Sequence, residues 1–307
     1  AMGKEVVMPE APAEEPAMEG GIFPAVKPAD VPGDVVTAGS STVFPLAEVI
    51  AGLYEGEGGG NITIDSIGSG AGFERFCVAG ESDVSNASRA IKDSEIESCQ
   101  SIGRDPIEFR VGTDAIAVAV STENDFVSDV TMEELAAIFS TAETWSDVRP
   151  DWPNEAILRY IPGTDSGTFD YFVEEVFDED PEPILNASNT NLSEDDNVLV
   201  QGVVGSPYAV AFYGYAYYVE NADVTNVLSI DGIEATLETV DSFTYPLARP
   251  LFIYSDASIM QEKPQVAAYI NYFLTHANDV IDEVGYFPAN EEVLNVAKLL
   301  WLNATSQ

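Results

Sequence analysis

Three short stretches rich in glycine, serine and threonine stand where a strand is expected to turn into a helix. They cover residues 39–45 (GSSTVFP), 68–73 (GSGAGF) and 163–169 (GTDSGTF). The first backbone N–H groups of a helix have no partner inside the helix, and the dipole is positive at that end. Hydroxyls and such amides together bind oxyanions, and glycine lets the backbone approach a ligand closely. The three stretches therefore predict one anion site built mainly from neutral donors.

The stretch at 163–169 also has a simpler interpretation. Ser166 or Thr168 could serve only as the N-cap of the following helix, because a hydroxyl there accepts a hydrogen bond from the first turn. Both interpretations include that helix, since apolar residues recur at helical spacing as Phe169, Phe172, Val173, Val176 and Phe177. The presence of three such stretches in one chain favours the anion site.

The charge of the chain is strongly acidic. Its 307 residues include 12 Lys plus Arg against 53 Asp plus Glu, a formal net charge of −41. No basic stripe could displace the counterions of a nucleic acid, so that class of partner is excluded. The hydrophobic fraction of 46% excludes a disordered acidic chain. An acidic coat repels itself at low salt and is screened at high salt, which favours a halophilic or an acidic habitat.

Residues 1–33 are predicted to form a disordered leader, because prolines stand among Ala and Glu without periodicity. The leader is either a tail without function or a tether to a membrane anchor, including a lipid. The sequence has no secretory apolar segment and no run of about 18 apolar residues. This fits either a cytoplasmic protein or a mature exported one.

Cysteine and histidine, which often serve as metal ligands or catalytic groups, are scarce. Cys77 and Cys99 are either a disulfide, which would contribute about 3 kcal/mol, or two buried free thiols. Their surroundings lack metal-ligand spacing, so we expect neither a metal nor a cofactor. His276 is the only histidine, and we place it on the surface at a helix end. Because no histidine stands near the Gly/Ser stretches to act as a base, we expect no enzyme.

Strands and helices alternate along the chain, which predicts an α/β fold. Residues 106–120 form a nearly continuous apolar run broken at 112–114, as two strands buried on both faces would. Residues 131–134 (TMEE) form a capping box at a helix start. Further elements are predicted as strands at 35–38, 61–67 and 251–254, and as helices at 45–54, 93–102, 265–275 and 291–302.

Four motifs resemble, in order and rough spacing, those of the phosphate-binding protein of bacterial phosphate ABC transporters. They are residues 37–45 (TAGSSTVFP), 68–73 (GSGAGF), 83–89 (DVSNASR) and 163–168 (GTDSGT). Residues 245–250 (YPLARP) resemble the segment that returns the chain to the first lobe in that family. Each motif alone is weak, but four in order are fairly specific. The resemblance covers about residues 34 to 303.

This resemblance implies a type II periplasmic binding protein fold, with two lobes, two chain crossovers and a central ligand cleft. Lobe one would comprise residues 34–110 and 249–307, and lobe two residues 111–248. The lobes would close over the ligand by hinge motion. The protein would be a monomer in the periplasm or on the outer face of the membrane. It would capture inorganic phosphate and deliver it to the permease subunits of an ABC transporter.

The implied phosphate-binding residues come from both lobes. They are Ser41, Thr42, the Val43 amide, Ser69, Arg89, Asp165, Ser166, Gly167 and Thr168. The best-known members have an arginine before the third Gly/Ser stretch, where this chain has Pro162, and an aspartate where it has Arg89. We therefore expect Arg89 to supply the positive charge, unless it forms a surface ion pair. Asp165 would accept the ligand proton or orient Arg89.

A carboxylate acceptor would reject fully ionised sulfate, which has no proton to donate. Two alternatives stay open for a binding protein. One is another oxyanion, namely sulfate, molybdate, tungstate, phosphonate or arsenate. The other is a cell-surface protein that has kept the fold and lost the ligand, although the retained hydroxyls argue against it.

Overall fold

The computed structural model describes residues 23–164 and 166–306. Over these residues strands and helices alternate, which confirms the predicted α/β class. The strands are β1 (Val35–Gly39), β2 (Ile62–Ser66), β3 (Val84–Ala87), β4 (Pro106–Ser121), β5 (Asp129–Val130), β6 (Leu158–Pro162), β7 (Thr190–Ser193), β8 (Ala209–Gly214), β9 (Thr225–Val227), β10 (Ser229–Ile230), β11 (Ala248–Asp256) and β12 (Phe287–Pro288).

The helices vary from single turns to the long C-terminal pair. They are α1 (Phe44–Gly56), α2 (Ser69–Glu74), α3 (Asp93–Ser101), α4 (Met132–Ile138), α5 (Trp145–Val148), α6 (Gly167–Phe177), α7 (Glu182–Leu185), α8 (Asp196–Val204), α9 (Tyr215–Glu220), α10 (Leu237–Asp241), α11 (Ala257–Glu262), α12 (Pro264–Val280) and α13 (Glu291–Thr305). Within the described ranges, none of them combines the length and apolar character that crossing a membrane requires.

Most of the described strands belong to one mixed sheet, in the order β2-β1-β3-β11-β4-β8-β6-β7. At one end β1 lies between β2 and β3, and all three are parallel. At the other end β6 lies parallel to β7 and β8. The two central strands, β11 and β4, are antiparallel to each other and to their outer neighbours. Each parallel group is thus joined to the other only through this central pair.

The strand β4 is continuous over 16 residues, so the prediction of two strands broken at 112–114 is wrong. The strand β11 pairs with β4 straight through the expected break. The facing pairs there are Gly112 with Leu251, Thr113 with Pro250, and Asp114 with Arg249. A ladder that runs along the backbone of these residues leaves no place for a turn. The first part of β4 pairs with β11, and its last part, from Ile116 onward, pairs with β8.

The buried apolar residues form two separate cores. One core takes its residues from positions 35 to 111 and 251 to 304. The other takes its residues from positions 115 to 247. The chain passes from one core to the other along β4 and returns along β11. We call the two bodies lobe one and lobe two, following the order in which the chain enters them.

The last part of the predicted leader is ordered. Phe23 packs edge-on against Trp301 of α13, with ring centroids 5.2 Å apart. The Nδ2 of Asn271 donates to the carbonyl of Pro24 at 3.1 Å, and Pro28–Asp30 form a turn of 3₁₀-helix. The expectation of disorder is therefore wrong for residues 23–33, because an aromatic side chain and a backbone carbonyl attach them to lobe one. Residues 1–22 of the predicted leader lie outside the described residues.

Cys77 and Cys99 form a disulfide, so they are not two free thiols. Cys77 lies in the π-helical turn Arg75–Ala79, and Cys99 lies in α3. Both side chains are buried in the core of lobe one. The bond ties the chain segment after α2 to the helix that follows β3. His276 is half-buried near the C-terminal end of α12.

Candidate functional site

A cavity of about 800 Å³ lies between the two lobes. Lobe one contributes the segments that follow the parallel strands β1, β2 and β3, together with β11, and lobe two contributes α6 and its surroundings. In open α/β sheets, ligands bind beyond the carboxyl ends of parallel strands. The lining residues are Ser40, Ser41, Thr42, Ile67, Gly68, Ser69, Gly70, Ala71, Ser88, Arg89, Lys92, Glu95, Thr164, Phe169, Asp170, Val173, Glu174, Glu179, Pro181, Leu185 and Arg249.

The turn between β1 and α1 presents its hydroxyls to the cavity. The Oγ of Ser40 accepts the backbone N–H groups of Thr42 at 3.2 Å and of Val43 at 3.3 Å, so Ser40 caps this turn. Ser41 and Thr42, two of the residues predicted to bind phosphate, line the cavity. Val43 is fully buried, and its predicted ligand-binding amide is already engaged by Ser40.

The start of α2 is fixed against the end of β3 by two serines. The Oγ of Ser69 accepts the backbone N–H of Ser88 at 3.1 Å, and the two hydroxyls are 3.3 Å apart. The helix can approach β1 because it has no side chain at Gly72, where an added Cβ would lie 2.5 Å from the Cα of Gly39. The predicted Ser69 and the unpredicted Ser88 therefore stand together in the cavity wall.

The third Gly/Ser stretch, residues 163–169, contacts lobe one beside the cavity. The Oγ of Ser166 accepts the backbone N–H of Thr168 at 3.2 Å, so the N-cap interpretation of this serine holds. A Cβ added at Gly167 would lie 3.2 Å from the Cα of Thr42, so the two lobes touch here. Among the described residues of this stretch, Thr164 and Phe169 line the cavity, whereas residues 166–168 do not. Asp165 lies outside the described residues.

Arg89 lines the cavity, but its guanidinium is already paired with Glu95. Its Nη1 and Nη2 donate to the two carboxylate oxygens at 2.9 and 2.7 Å. Nη1 donates in addition to the carbonyl of Ala90 at 3.1 Å. The hydrogen bonds that Arg89 donates to Glu95 raise the pKa of Arg89. Its Nε–H and one Nη2–H have no partner among the described residues, and they remain for a ligand.

Arg249 is the residue of the site that the sequence analysis missed. It stands in β11 and is only 6% exposed. All five of its N–H donors are engaged within the protein. Nε donates to Asp114 at 3.3 Å, Nη1 to Ser88 at 3.2 Å and to Glu174 at 3.3 Å, and Nη2 to the hydroxyl of Thr42 and the carbonyl of Gly167 at 3.5 Å. The feature of the sequence that could have pointed to it is an arginine beside a buried apolar strand, in a chain with only 12 basic residues.

Two further buried groups hold the Arg249 guanidinium in place. Its Cζ lies 3.4 Å from the centroid of the Tyr171 ring, which provides a cation–π contact. Asp114 is 1% exposed, and its Oδ1 has no hydrogen-bond partner in the part of the chain that the structure describes. Burial raises the pKa of Asp114, and the neighbouring Arg249 limits that rise. The guanidinium of Arg249 is thus held by the carboxylate of Asp114 and by the ring of Tyr171.

The cavity has a higher share of basic residues than the chain as a whole, since its lining has three basic residues against four acidic ones. Three of the chain's 12 basic residues line it, namely Arg89, Lys92 and Arg249. Serine and threonine hydroxyls of lobe one surround Arg249. Guanidinium and hydroxyl groups together are the donors that a tetrahedral oxyanion needs once its water is removed. The arrangement is therefore suited to bind an oxyanion.

The histidine of this chain lies away from the cavity. The only histidine, His276, belongs to α12 and is not among the lining residues that the structure describes. Its Nδ1 lies 3.4 Å from a carboxylate oxygen of Asp279 instead. Over residues 23–164 and 166–306, no group of His, Cys, Asp and Glu could hold a metal ion.

Two lobes joined by two strands around a polar cleft define the class of periplasmic binding proteins. The family model described as "PBP superfamily domain" matches residues 24–277. The protein SphX of Synechocystis is 35% identical over 286 residues, which cover 90% of this chain and 84% of SphX. The phosphate-binding protein PstS of Staphylococcus aureus is 33% identical over 270 residues, 86% of this chain and 80% of PstS. The chain therefore belongs to the periplasmic-binding-protein superfamily, in the family of the phosphate-binding PstS proteins.

Solved structures show the same fold. A structure described as a possible phosphate binding protein from Planctomyces limnophilus has a TM-score of 0.85 and 35% identity, and the match covers 90% of this chain and 100% of that one. An ABC-type phosphate transport receptor from Vibrio cholerae has a TM-score of 0.64 at 21% identity, over 82% and 99% of the two chains. The second likeness bears on the fold alone. The predicted two-lobed periplasmic binding protein fold is thus confirmed.

Proposed function

We propose that this chain is an extracytoplasmic solute-binding protein that captures inorganic phosphate in the cavity between its lobes. The observation that carries the proposal is the buried guanidinium of Arg249 among the hydroxyls of lobe one. A guanidinium presents paired N–H groups whose spacing matches the oxygens of a phosphate. The Staphylococcus relative, named a phosphate-binding protein, supports the same ligand.

A carboxylate acceptor in the cavity would favour phosphate over sulfate, and we propose Asp165 for this role. A carboxylate can accept a hydrogen bond from a protonated phosphate oxygen, whereas fully ionised sulfate offers no proton and is repelled. The proposed acceptor role of Asp165 rests on the sequence alone. An Asp165→Asn variant that binds sulfate as well as phosphate would support this role, and one that still excludes sulfate would refute it.

We further propose that the protein binds without catalysing a reaction and needs no metal or cofactor. It would act as a monomer in the periplasm or on the outer face of the cytoplasmic membrane. Its partners would be the permease subunits of a phosphate ABC transporter. These proposals follow from the family and from the site, whose hydroxyls and buried cation are suited to hold an anion.

The proposal is tested by calorimetric titration of phosphate into protein stripped of bound anions. The titration is run in about 1 M salt, at about pH 5 and about pH 8.5, with sulfate as competitor. We expect a Kd below about 1 μM, which corresponds to about 8 kcal/mol, and no displacement by sulfate. The pH trend shows which ionic form of phosphate is preferred.

A matched pair of arginine variants links the binding to the site. Arg249→Lys keeps the positive charge but lacks the planar guanidinium with its five N–H donors. We therefore expect the affinity for phosphate to fall at least about a hundredfold, or about 2.7 kcal/mol. Arg149→Lys is the control, because Arg149 pairs with Glu134 outside the cavity. Absence of phosphate binding in the wild type, or displacement by sulfate, would refute phosphate as the ligand.

A further inference from the structure

We infer that Glu174 of α6 competes with the incoming anion for Arg249 and thereby lowers the affinity of the site. The inference rests on the proposed function, since it concerns the anion that this cavity takes. In this role, a carboxylate of lobe two opposes ligand binding instead of contributing to it. Phosphate would reach Arg249 by displacing this carboxylate.

The first step of the argument is that Arg249 has no N–H donor to spare. A guanidinium has five, and each of them meets an acceptor of the protein. The acceptors are Asp114, Ser88, Glu174, Thr42 and the carbonyl of Gly167. An anion that binds Arg249 directly must therefore replace one of these five groups.

The second step is that Glu174 is the partner that can leave. Asp114, Ser88 and Thr42 are all buried, and the acceptor of Gly167 is a backbone carbonyl. The Glu174 side chain is 40% exposed, while that of Arg249 is 7% exposed. A half-exposed carboxylate on a flexible side chain regains water when it turns away. Its oxygen also carries the same kind of charge as a phosphate oxygen, so the two compete for one donor.

A second contact of the same helix supports this inference. One turn before Glu174, the Oδ2 of Asp170 accepts the hydroxyl of Ser41 at 3.1 Å. Residues four apart lie on the same face of a helix. This face of α6 thus covers two groups of lobe one, the hydroxyl of Ser41 and the Nη1 of Arg249. Both are groups that a bound oxyanion would use.

The test compares the affinity of stripped wild-type protein and variants for phosphate, sulfate and molybdate by calorimetry in about 1 M salt. Glu174→Gln removes the charge and keeps the size, and Glu174→Ala removes the competing oxygen as well. We expect both variants to bind the anion about tenfold more tightly, equivalent to about 1.4 kcal/mol. The control is Glu179→Gln, which removes the same charge from another carboxylate of the cavity lining. Its affinity should stay within about twofold of the wild type, roughly 0.4 kcal/mol.

Each outcome bears on the inference separately from the proposed function. Unchanged or weaker binding in both Glu174 variants would overturn it, and so would an equal gain in Glu179→Gln, because the effect would then be one of net charge. If the wild type binds sulfate or molybdate and not phosphate, a gain confined to the Glu174 variants would still support the inference while the proposed function fails. No binding of any anion by wild type or variants would overturn both.

Discussion

Arg249 and Asp114 face each other across the two strands that connect the lobes, with Nε and Oδ2 3.3 Å apart. The strands β4 and β11 therefore carry both the connection between the lobes and the buried cation of the cavity. From this position Arg249 also reaches the hydroxyl of Thr42 in lobe one and the carboxylate of Glu174 in lobe two. A change in the angle between the lobes must alter at least one of these contacts.

The pair gives a prediction about stability. Asp114→Ala removes the buried counter-charge of Arg249 and leaves it only the half-exposed Glu174. Breaking a buried ion pair in this way costs about 3–5 kcal/mol of unfolding free energy. Asp114→Asn keeps an oxygen that can accept from Nε, so its loss should be smaller. Urea unfolding of the two variants measures the difference. Equal stability of Asp114→Ala and the wild type would show that the pair contributes nothing.

The contact between the lobes at Gly167 predicts an effect of one methyl group on binding. In Gly167→Ala the new Cβ would lie 3.2 Å from the Cα of Thr42 and 3.3 Å from the carbonyl of Ser41. Overpacking of this kind costs about 1–3 kcal/mol, so phosphate affinity should fall roughly tenfold or more. Gly52→Ala in α1 is the control, because its Cβ meets nothing within 4 Å. A calorimetric affinity equal to that of the wild type would contradict the expected clash.

Glu134 predicts part of the acid sensitivity of the fold. Its hydrogen bonds from Arg149 hold the pKa of this carboxyl below its ordinary value of 4.5. A carboxyl with a lowered pKa in the folded state contributes stability above its ordinary pKa and loses it as pH falls through the lower, folded value. The stability advantage of the wild type over Glu134→Gln should therefore be constant above about pH 5 and shrink below about pH 4.5.

The measurement is urea unfolding of both proteins between about pH 3 and pH 7. Glu133→Gln is the control, since it removes the same charge from the same turn of α4. A difference between Glu134→Gln and the wild type that does not vary over this range would contradict the prediction.

The buried Arg159 predicts a large loss of stability on substitution. It is fully buried in β6, and burial lowers the pKa of its guanidinium to about 10. The side chain donates to the carbonyls of Ile138 at 2.6 Å, Ser188 at 2.6 Å and Ala142. Arg159→Met leaves these carbonyls without donors, at about 1–3 kcal/mol for each one that stays buried. We expect a loss of at least about 3 kcal/mol in urea unfolding. Arg75→Met is the control, because the Arg75 side chain is 32% exposed and its partner Asp65, at 43%, stays in contact with water.

The net charge of −41 predicts an unusual dependence of the binding rate on salt. The field of the acidic surface opposes the approach of phosphate at low salt, and the Debye length falls from about 10 Å at 0.1 M to about 3 Å at 1 M salt. The association rate measured by stopped flow should therefore rise toward molar salt. A rate that stays flat or falls would show that the positive charge at Arg89, Lys92 and Arg249 dominates the approach.

The fold was predictable from the sequence wherever local signals were strong. The strand–turn–helix units of β1–α1 and β6–α6 have glycine and hydroxyl residues at the turns and apolar residues at helical spacing. The continuity of β4 was not predictable, because the Gly112 to Asp114 segment has the composition of a turn. Only its pairing with β11, more than 130 residues later in the chain, keeps it extended.

The site was predictable in its hydroxyl groups and less so in its charges. Ser41, Thr42 and Ser69 stand in recognisable helix starts, and all three line the cavity. Arg89 was expected to bind the ligand, but the sequence could not show that Glu95 would pair with it. Arg249 was missed because its partners Thr42, Asp114 and Glu174 are distant in the chain, and only the folded structure brings them together. No described contact tests the role predicted for Asp165.

The single strand β4 has a consequence for how the molecule unfolds. Its first part belongs to the sheet of lobe one, and its last part belongs to that of lobe two. Neither lobe can lose its sheet without removing a central strand from the other. We therefore expect the two lobes to unfold as one cooperative unit, although each has its own apolar core.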